Sequence, residues 1–366
     1  MYSELSISVP SAPADSYKIC IGANILASVQ ARLPRRFAHC RRFVVTDENV
    51  AAAGHLSALT TDCECCAYVI RPAGEVSKHM RTVISIIEEM EKAGLGRDTL
   101  VIGLGGGTVG DIAGFAAAVF KRGVPVVHVP TTSVAQGDSS IGGKTGVDST
   151  ISKNAFGAFW HPSAVYIDVA TLQTLDEREY RAGLVESVKH ALICDAQYFE
   201  FIEANIAALL RRDISVLAEL ASRNGSIKGH IVEEDPGEKN LRRILNYGHT
   251  VGHAVESVSD FALLHGEAVA IGIIAAGLIE QELTLGETKR LERVRSIFER
   301  LDVPQRIPAD LATDAIVNRL RHDKKAIGGQ PRFVLLSDLA EVHCPEGQYA
   351  VEVPPDVVAK VISKLK

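Results

Sequence analysis

The sequence is poor in aromatic residues, in cysteine and in net charge. Aromatic residues make up 5% of the 366 positions, and cysteine occurs seven times. A formal net charge of −6 at pH 7 excludes the broadly basic surface that nucleic-acid binding requires, but it allows a local basic pocket for a small anion. The 46% of hydrophobic residues suffice for a packed core and exclude a wholly disordered chain.

Long hydrophobic runs and an export signal are also missing. The longest apolar stretch, residues 268–279, contains glycines and is too short to cross a bilayer. The first ten residues have neither the basic nor the apolar segment of a secretory signal. We therefore expect a cytoplasmic protein with reduced thiols. Cys63, Cys65 and Cys66 lack the two-residue gap usual for chelation, which favours a strand or loop edge over a metal site.

The order of secondary-structure patterns predicts two regions of different class. In the first half, strand patterns over 42–46, 67–70, 99–104 and 124–129 alternate with helical patterns over 76–93 and 107–120. This alternation is typical of a Rossmann-like parallel α/β sheet. Helices are then predicted over 182–193, 196–210, 214–232, 244–258, 267–281 and 288–301. We predict an α/β domain over residues 1–175 and an all-helical domain over residues 176–366.

A glycine-rich turn follows the third of these strands. Gly105, Gly107 and Gly110 match the pattern G-x-G-x-x-G, in which bare backbone and a helix N-terminus approach a pyrophosphate. A tight turn without a ligand is the alternative interpretation. The turn lies about 100 residues into the chain, and no acidic residue ends the next strand. Asp47, after the first predicted strand, is the candidate for the ribose-binding carboxylate.

Histidines and a glutamate form a candidate metal site. His249 and His253 are at positions i and i+4 of one predicted helix, His265 follows, and Glu186 lies earlier. Imidazole and carboxylate ligands suit Zn²⁺, and a catalytic zinc keeps three protein ligands. A structural role is the alternative for any single histidine, but three histidines within 17 positions, each beside a glycine, favour a site. Spacing alone pairs His249 with His253 as ligands.

Basic residues near glycine turns form a candidate anion site. They are Lys144, Lys153, Lys228, Arg242, Lys324 and Lys325. In an acidic chain such cations suit the capture of phosphate or carboxylate, although a solvated surface cation is the alternative for each. The run Gly-Gly-Lys-Thr ending at Thr145 is not a P-loop, because Asp138 stands where the first glycine belongs.

These motifs resemble those of the 3-dehydroquinate synthases, in the sugar-phosphate cyclase family. The similarity covers roughly residues 40–340 and includes GGGTVGDIAGFAA, AQGDSSIGGKTGVD, RRILNYGHTVGHAVE and LHGEAVAIG. It implies an α/β nucleotide-binding domain, a helical metal- and substrate-binding domain, and an active site in the cleft between them. It also implies two cofactors, NAD and a divalent metal, which would be zinc or cobalt.

The resemblance further implies a lyase of the shikimate pathway of aromatic amino-acid biosynthesis. Members of this family convert 3-deoxy-D-arabino-heptulosonate 7-phosphate to 3-dehydroquinate and phosphate. The steps are transient NAD-dependent oxidation, β-elimination, reduction and intramolecular aldol closure. The expected partners are a phosphorylated sugar acid and a second copy of the chain, without nucleic acid or membrane.

The resemblance assigns individual residues to these tasks. It makes Glu186, His249 and His265 the metal ligands and places His253 on the substrate side, against the pairing that spacing favours. The positions that match nucleotide contacts are Asp47, Glu75, Lys78, Gly106, Gly107, Asp111, Thr131, Thr132, Asp138, Lys144, Lys153 and Thr174. The positions that match substrate or catalytic contacts are Arg122, Lys144, Asn154, Lys189, Lys228, Arg242, Asn246, His253 and Lys325, with Lys324 as the alternative to Lys325.

The sequence departs from the family pattern at four positions near these residues. Gly137 replaces a common Val, Asp148 an Asn, His190 a Tyr and Asn240 a Gly. The departures leave open a sister activity, such as that of 2-epi-5-epi-valiolone synthase, on a sugar phosphate without a carboxylate. A metal-dependent polyol or glycerol-phosphate dehydrogenase is a further alternative, and a catalytically inactive binding protein is the third.

Overall fold

The computed structural model describes residues 16–61, 63, 65–260, 262–321 and 331–366. Lys324 and Lys325, two predicted substrate-side residues, lie outside these ranges. Within them, no helix combines the length and the hydrophobicity that a membrane span needs.

The strands confirm the predicted parallel sheet. They are β1 (Lys18–Gly22), β2 (Arg41–Asp47), β3 (Cys66–Ile70), β4 (Thr99–Gly105), β5 (Val126–Pro130), β6 (Lys144–Val147), β7 (Phe156–Phe159), β8 (Ala164–Asp168), β9 (Arg332–Phe333), β10 (Leu336–Asp338), β11 (Glu341–Val342) and β12 (Val351–Glu352). Six of them form one sheet in the order β1-β8-β5-β4-β2-β3, and every pairing in it is parallel. The four predicted strands correspond to β2, β3, β4 and β5.

The helices follow the predicted change of character along the chain. They are α1 (Val29–Arg32), α2 (Glu48–Ala52), α3 (His55–Thr60), α4 (Met80–Lys92), α5 (Gly107–Val119), α6 (Glu177–Cys194), α7 (Ala196–Leu210), α8 (Ile214–Glu234), α9 (His249–Val258), α10 (His265–Glu282), α11 (Thr288–Arg300), α12 (Thr313–Arg321) and α13 (Pro355–Lys364). The predicted fold class, a parallel sheet followed by a helical region, is confirmed. The division at residues 175/176 stays a prediction.

Two helices begin later than the apolar spacing predicts, and both have a local cause. α4 begins at Met80 because the side chain of His79 accepts a hydrogen bond from Thr82 N at 3.3 Å and caps the helix. α9 begins at His249 because Gly248 has φ 77°, a left-handed conformation that interrupts the helix and favours glycine. His249 is therefore the first residue of α9.

The core is divided between the sheet and the central helices. Every residue of β4 is buried, as expected for a strand covered on both faces. One sheet face packs on α4 and α5 through residues such as Ile86 and Ile112, and the other packs on the N-terminal helices through Leu59. α10 is apolar around most of its circumference and lies inside the helical region. Both regions therefore have a hydrophobic core of their own. Each fully buried aliphatic side chain in these cores contributes about 1.5–3 kcal/mol to stability.

Candidate active site

The glycine-rich turn lies where β4 ends and α5 begins. β4 ends at Gly105 and α5 begins at Gly107, so Gly106 is the residue before the helix. A Cβ atom on Gly106 would lie 3.0 Å from Thr132 Cγ2, and one on Gly107 would lie 3.0 Å from Ser139 Oγ. Bare backbone and a helix N-terminus together favour a phosphate group. The predicted setting of the turn, between a buried strand and a helix, is confirmed.

A network of paired charges lies beside this turn. Lys78 Nζ lies 2.7 Å from Asp111 Oδ2, and Lys153 Nζ lies 3.1 Å from Glu75 Oε1. The Thr108 hydroxyl donates to Glu75 Oε2 at 3.0 Å. Burial would raise the pKa of Glu75, but Lys78 and Lys153 outweigh burial and lower that pKa. Four predicted nucleotide contacts are thus brought together, and each carboxylate among them has an ammonium partner.

The other predicted nucleotide contacts of the sheet region follow its strands or lie near them. Asp47 ends β2 and caps α2, while Thr131 and Thr132 follow β5. Thr174 Oγ1 lies 2.8 Å from His55 Nε2. Carboxyl ends of neighbouring parallel strands meet at one edge of a sheet, where nucleotides bind in open α/β folds. This position suits Asp47 as the ribose-binding carboxylate, which stays a prediction.

Three histidines and one glutamate converge in the helical region. The ring centroid of His249 lies 5.2 Å from that of His253 and 5.3 Å from that of His265. Glu186 Oε1 lies 3.7 Å from His249 Nε2 and 3.5 Å from His265 Nε2. Both ligand sets, the one from spacing and the one from resemblance, lie in this cluster. The choice between them stays a prediction.

Close packing of two helices brings His265 to Glu186. Gly266 follows His265 in α10, and a Cβ atom on it would lie 1.9 Å from the carbonyl oxygen of Ala182 in α6. Only glycine permits this approach. Glu267 accepts a hydrogen bond from Leu264 N at 2.8 Å and so fixes the beginning of α10.

The donor set fits a divalent cation. Glu186 Oε1 is buried and has no hydrogen-bond partner among the described residues, although Lys189 donates to the other carboxylate oxygen. His249 Nδ1 lies 3.0 Å from the Tyr247 carbonyl oxygen, which accepts from it and leaves Nε2 facing Glu186. Burial would raise the pKa of Glu186, but Lys189 and His249 lower it well below its ordinary value. A buried carboxylate oxygen without a partner is costly unless a cation meets it.

A second glutamate, which is not among the predicted site residues, lies in this cluster. Glu256 Oε2 lies 3.5 Å from His265 Nδ1, and Glu256 Oε1 lies 3.1 Å from Lys153 Nζ. Burial would raise the pKa of Glu256, but His265 and Lys153 lower it to about 2. The spacing of Glu256, at i+7 from His249 on one helix, was the signal that could have identified it.

Three buried cations lie in the same helical region as this cluster. Lys228 Nζ lies 2.8 Å from Asp138 Oδ1 and donates to the Asp138 carbonyl at 2.7 Å. Lys189 pairs with Glu186. Arg242 is 1% exposed and donates to the carbonyl oxygens of Pro236 and Gly142, both at 2.9 Å. Burial lowers the pKa of Lys228 and of Arg242 despite nearby carboxylates. These charges suit an anionic substrate.

Two more predicted substrate contacts meet at a glutamate to which sequence analysis gave no role. Lys144 pairs with Glu238, and Asn246 Nδ2 donates to Glu238 Oε1 at 2.9 Å. Glu238 lies in the segment before Arg242 and is the anionic partner of both side chains in this structure.

Two predicted substrate contacts lie on the surface. The backbone N–H of Asn154, which has φ 50°, donates to Asp148 Oδ1 at 2.6 Å. Arg122 is exposed, with φ 71°, and makes no hydrogen bond or ion pair with another described site residue. Arg122 follows the C-terminal end of α5, the end opposite the glycine-rich turn.

Two of the departures from the family pattern meet at Asn224. His190 is fully buried, with Nδ1 at 3.1 Å from Asn224 Oδ1 and Nε2 at 3.3 Å from Asp138 Oδ1. A Cβ atom on Gly137 would lie 3.1 Å from Asn224 Nδ2, so the branched side chain of a valine would crowd this amide. Gly137 and His190 are thus parts of one rearrangement beside Asp138.

Comparison with known proteins identifies the family of the chain. Residues 68–182 match the family model of the 3-dehydroquinate synthase N-terminal domain, and residues 183–326 match that of its C-terminal domain. A 3-dehydroquinate synthase from Symbiobacterium thermophilum is 43% identical over 331 residues, which are 88% of this chain and 91% of the relative.

Solved structures of related cyclases share the fold. ValA (2-epi-5-epi-valiolone synthase) from Streptomyces hygroscopicus subsp. jinggangensis 5008, with NAD⁺ and Zn²⁺ bound, has a TM-score of 0.87 and 28% identity, over 98% of this chain and 99% of its own. A 2-deoxy-scyllo-inosose synthase complexed with carbaglucose-6-phosphate, NAD⁺ and Co²⁺ has a TM-score of 0.81 and 28% identity, over 95% and 96% of the two chains. With both family models matched across most of its length, the chain belongs to the 3-dehydroquinate synthase family.

Proposed function

We propose that the chain converts 3-deoxy-D-arabino-heptulosonate 7-phosphate to 3-dehydroquinate and phosphate, as a carbon–oxygen lyase of the shikimate pathway. The observation that carries this proposal is the convergence of Glu186, His249 and His265 in the region that also buries Lys228 and Arg242. A metal site next to buried cations suits a substrate with both alcohol and anionic groups.

The chain has residues suited to both cofactors of this reaction. Glu186, His249 and His265 would hold the divalent metal, and the glycine-rich turn at Gly106 and Gly107 would hold the NAD pyrophosphate. The remaining nucleotide contacts would come from Asp47, Glu75, Lys78, Asp111, Thr131, Thr132, Asp138, Lys144, Lys153 and Thr174. When bound, the two cofactors supply polarisation of a substrate alcohol oxygen and reversible hydride transfer, so the net redox change is zero.

The protein's own contribution is binding and orientation. Arg242 would bind an anionic group through two parallel hydrogen bonds, and Lys144 and Lys228 would hold the other anionic groups. Asn154, Lys189, Asn246 and His253 would orient the ring of the substrate. Phosphate leaves by β-elimination and takes the neighbouring proton itself, so positioning accounts for most of what these side chains do.

A sister cyclase is the second candidate function. It is favoured by the similarity to the valiolone synthase, with a TM-score of 0.87 over nearly the whole of both chains. Against it stand Arg242 and Asn246, which match the family's contacts to a carboxylated substrate. The rearrangement at Gly137, His190 and Asn224 lies close enough to Asp138 to affect the choice of substrate.

Turnover with three sugar phosphates tests the proposal. The purified chain, with NAD⁺ and Co²⁺ or Zn²⁺, is given 3-deoxy-D-arabino-heptulosonate 7-phosphate, sedoheptulose 7-phosphate or glucose 6-phosphate. Phosphate release and product mass identify the substrate. Cyclisation of the heptulosonate without accumulation of NADH supports the proposal, cyclisation of another sugar supports a sister cyclase, and accumulating NADH indicates a dehydrogenase.

We also propose that the chain works as a cytoplasmic homodimer. All seven cysteines are free thiols in the structure, which is consistent with a reducing compartment. Arg122 is exposed at the end of α5 opposite the glycine-rich turn, so in a dimer it would be able to serve the partner's site. Light scattering at micromolar concentration would give twice the 39.3 kDa of one chain if the dimer forms.

A further inference from the structure

Glu256 stands between the metal cluster and the nucleotide side of the site. Its side chain is 7% exposed, although it carries a carboxylate. One carboxylate oxygen faces His265 Nδ1 at 3.5 Å, and the other lies 3.1 Å from Lys153 Nζ. Lys153 in turn lies 3.1 Å from Glu75, which accepts from Thr108 in the first turn of α5. A continuous chain of polar contacts therefore joins His265 to the glycine-rich turn.

We propose that Glu256 is the positioning residue that fixes the metal-binding tautomer of His265, and that Lys153 holds Glu256 for this task. The inference rests on the proposed function, because it takes His265 as a metal ligand. An imidazole that donates Nδ1–H to a carboxylate keeps its lone pair on Nε2. In this structure Nε2 of His265 is the atom that faces Glu186, at 3.5 Å.

The two histidine ligands would be oriented by different means. His249 has its Nδ1 directed to a backbone carbonyl, that of Tyr247, at 3.0 Å. His265 is the first residue of α10 and has a carboxylate at its Nδ1. A carboxylate also raises the basicity of the imidazole, and it does so more strongly than a neutral carbonyl. Glu256 should therefore affect metal affinity and not only the shape of the cluster.

Lys153 places its ammonium between two carboxylates of different regions. It is 3.1 Å from Glu256 Oε1 in α9 and 3.1 Å from Glu75 Oε1 in the segment before α4. The ammonium offsets the charge of Glu256 and fixes the direction of its other oxygen. If Lys153 acts through Glu256, then removing both side chains should cost no more metal affinity than removing Glu256 alone.

Co²⁺ titration of the full chain, followed by visible absorption and by calorimetry, tests the inference without an activity measurement. Glu256→Ala removes the acceptor, and we expect Co²⁺ to bind about 10- to 100-fold more weakly. Glu256→Gln keeps one acceptor oxygen without the charge and should fall between wild type and Glu256→Ala. The Gln variant also keeps the test valid if the Ala variant does not fold.

A matched control and a double-mutant cycle complete the design. Glu203→Ala removes a partly buried glutamate that pairs with Arg293 at 2.6 Å in another part of the helical region, and Co²⁺ affinity should not change. Adding Lys153→Met to Glu256→Ala should cause no further loss. A positioning role predicts weaker Co²⁺ binding with little change in the thermal midpoint of the metal-free protein.

The outcomes separate this inference from the proposed function. Wild-type affinity in both Glu256 variants, with metal lost in His265→Ala, would overturn the role of Glu256 and leave the metal site intact. Unchanged Co²⁺ binding in both His249→Ala and His265→Ala would instead overturn the metal site on which the inference rests. Full additivity of Lys153→Met and Glu256→Ala would overturn the link through Lys153.

Discussion

The sheet edge and the helical cluster differ in how their charged and polar groups are paired. At the sheet edge, the carboxylates of Glu75 and Asp111 each lie beside an ammonium group, and the turn itself offers bare backbone. In the cluster, Glu186 Oε1 is buried and has no hydrogen-bond partner in the part of the chain that the structure describes. The carboxylates of the first region are thus paired within the chain, whereas the second region keeps a buried carboxylate oxygen that a cation can meet.

The comparison predicts how each region responds to mutation. Removing a side chain from the cluster should weaken or change ligand binding there, because the acceptor atoms of the cluster are already buried away from water. Adding atoms at the sheet edge should matter more than removing charge, because the backbone itself forms the surface there.

Replacing single histidines should divide the cluster into ligands and a non-ligand. We expect His249→Ala and His265→Ala to lose the metal and to reduce kcat by roughly 1000-fold or more, since a Lewis acid contributes several kcal/mol. We expect His253→Ala to keep one metal per chain and still lose much turnover. Metal content by atomic emission and steady-state kinetics measure the two effects. Equal metal loss from His249→Ala and His253→Ala would show that the i,i+4 pair binds the metal.

Arg242→Lys should damage the cluster side without affecting the sheet edge. The Arg242 guanidinium donates in two directions, to the carbonyls of Pro236 and Gly142, which one ammonium cannot reproduce. Loss of a buried charged contact costs on the order of 2–5 kcal/mol, or roughly 30- to 5000-fold in kcat/KM for the heptulosonate phosphate. The Kd for NAD⁺ should change little. Normal turnover in this variant would remove the main support for a carboxylated substrate.

Gly107→Ala should instead weaken NAD⁺ binding and leave the metal site unaffected. The added methyl group would lie 3.0 Å from Ser139 Oγ, on the surface where a phosphate would bind. Overpacking of this kind costs about 1–3 kcal/mol, so we expect the Kd for NAD⁺ to rise roughly 5- to 150-fold while Co²⁺ affinity stays constant. Calorimetry measures both constants. The control is Gly229→Ala in α8, where a Cβ atom meets nothing within 4 Å. Weaker Co²⁺ binding in Gly107→Ala would contradict the independence of the two regions.

The same contrast explains which features could be predicted from the sequence. The glycine-rich turn was predictable because a strand, a turn and a helix follow one another within about 20 residues. The position of Asp47 at the end of a strand was predictable from the strand pattern before it, whereas its role toward a ribose stays a prediction. Both features depend on local order in the chain, and the structure places them where that order indicates.

The cluster depends on contacts that no local pattern contains. Glu186 reaches His265 only because Gly266 lets α10 approach the carbonyl of Ala182 in α6. The spacing of Glu256 from His249 on one helix can be read from the sequence. The contact of Glu256 with Lys153, which lies about 100 residues earlier, cannot. Spacing within α9 pairs His249 with His253, because spacing along one helix cannot include Glu186 from another helix. The choice between the two ligand sets stays a prediction.

The smallest expected effect concerns a titratable group beneath the glycine-rich turn. His128 lies in β5, and a Cβ atom on Gly103 would be 3.2 Å from its Nδ1. This nitrogen is buried and has no hydrogen-bond partner among the described residues, and burial lowers the pKa of His128 from 6.5 to about 4. The folded chain thus binds fewer protons at this residue than the unfolded chain between about pH 4 and 6.5, so its contribution to stability falls as the pH drops through this range.

Lowering the pH from 7 to 6 should therefore cost the wild-type chain roughly 0.7 kcal/mol through His128 alone. His128→Gln cannot take up the proton, so its free energy of unfolding should depend less on pH by that amount, whatever its stability at pH 7. Urea unfolding of both chains at pH 7 and pH 6 measures the difference. In the sheet region His128 is a buried ionisable group without an opposite charge to stabilise its protonated form. An identical pH dependence in the two chains would mean that the folded chain stabilises the protonated imidazole of His128, and burial alone would then not govern the pKa of this residue.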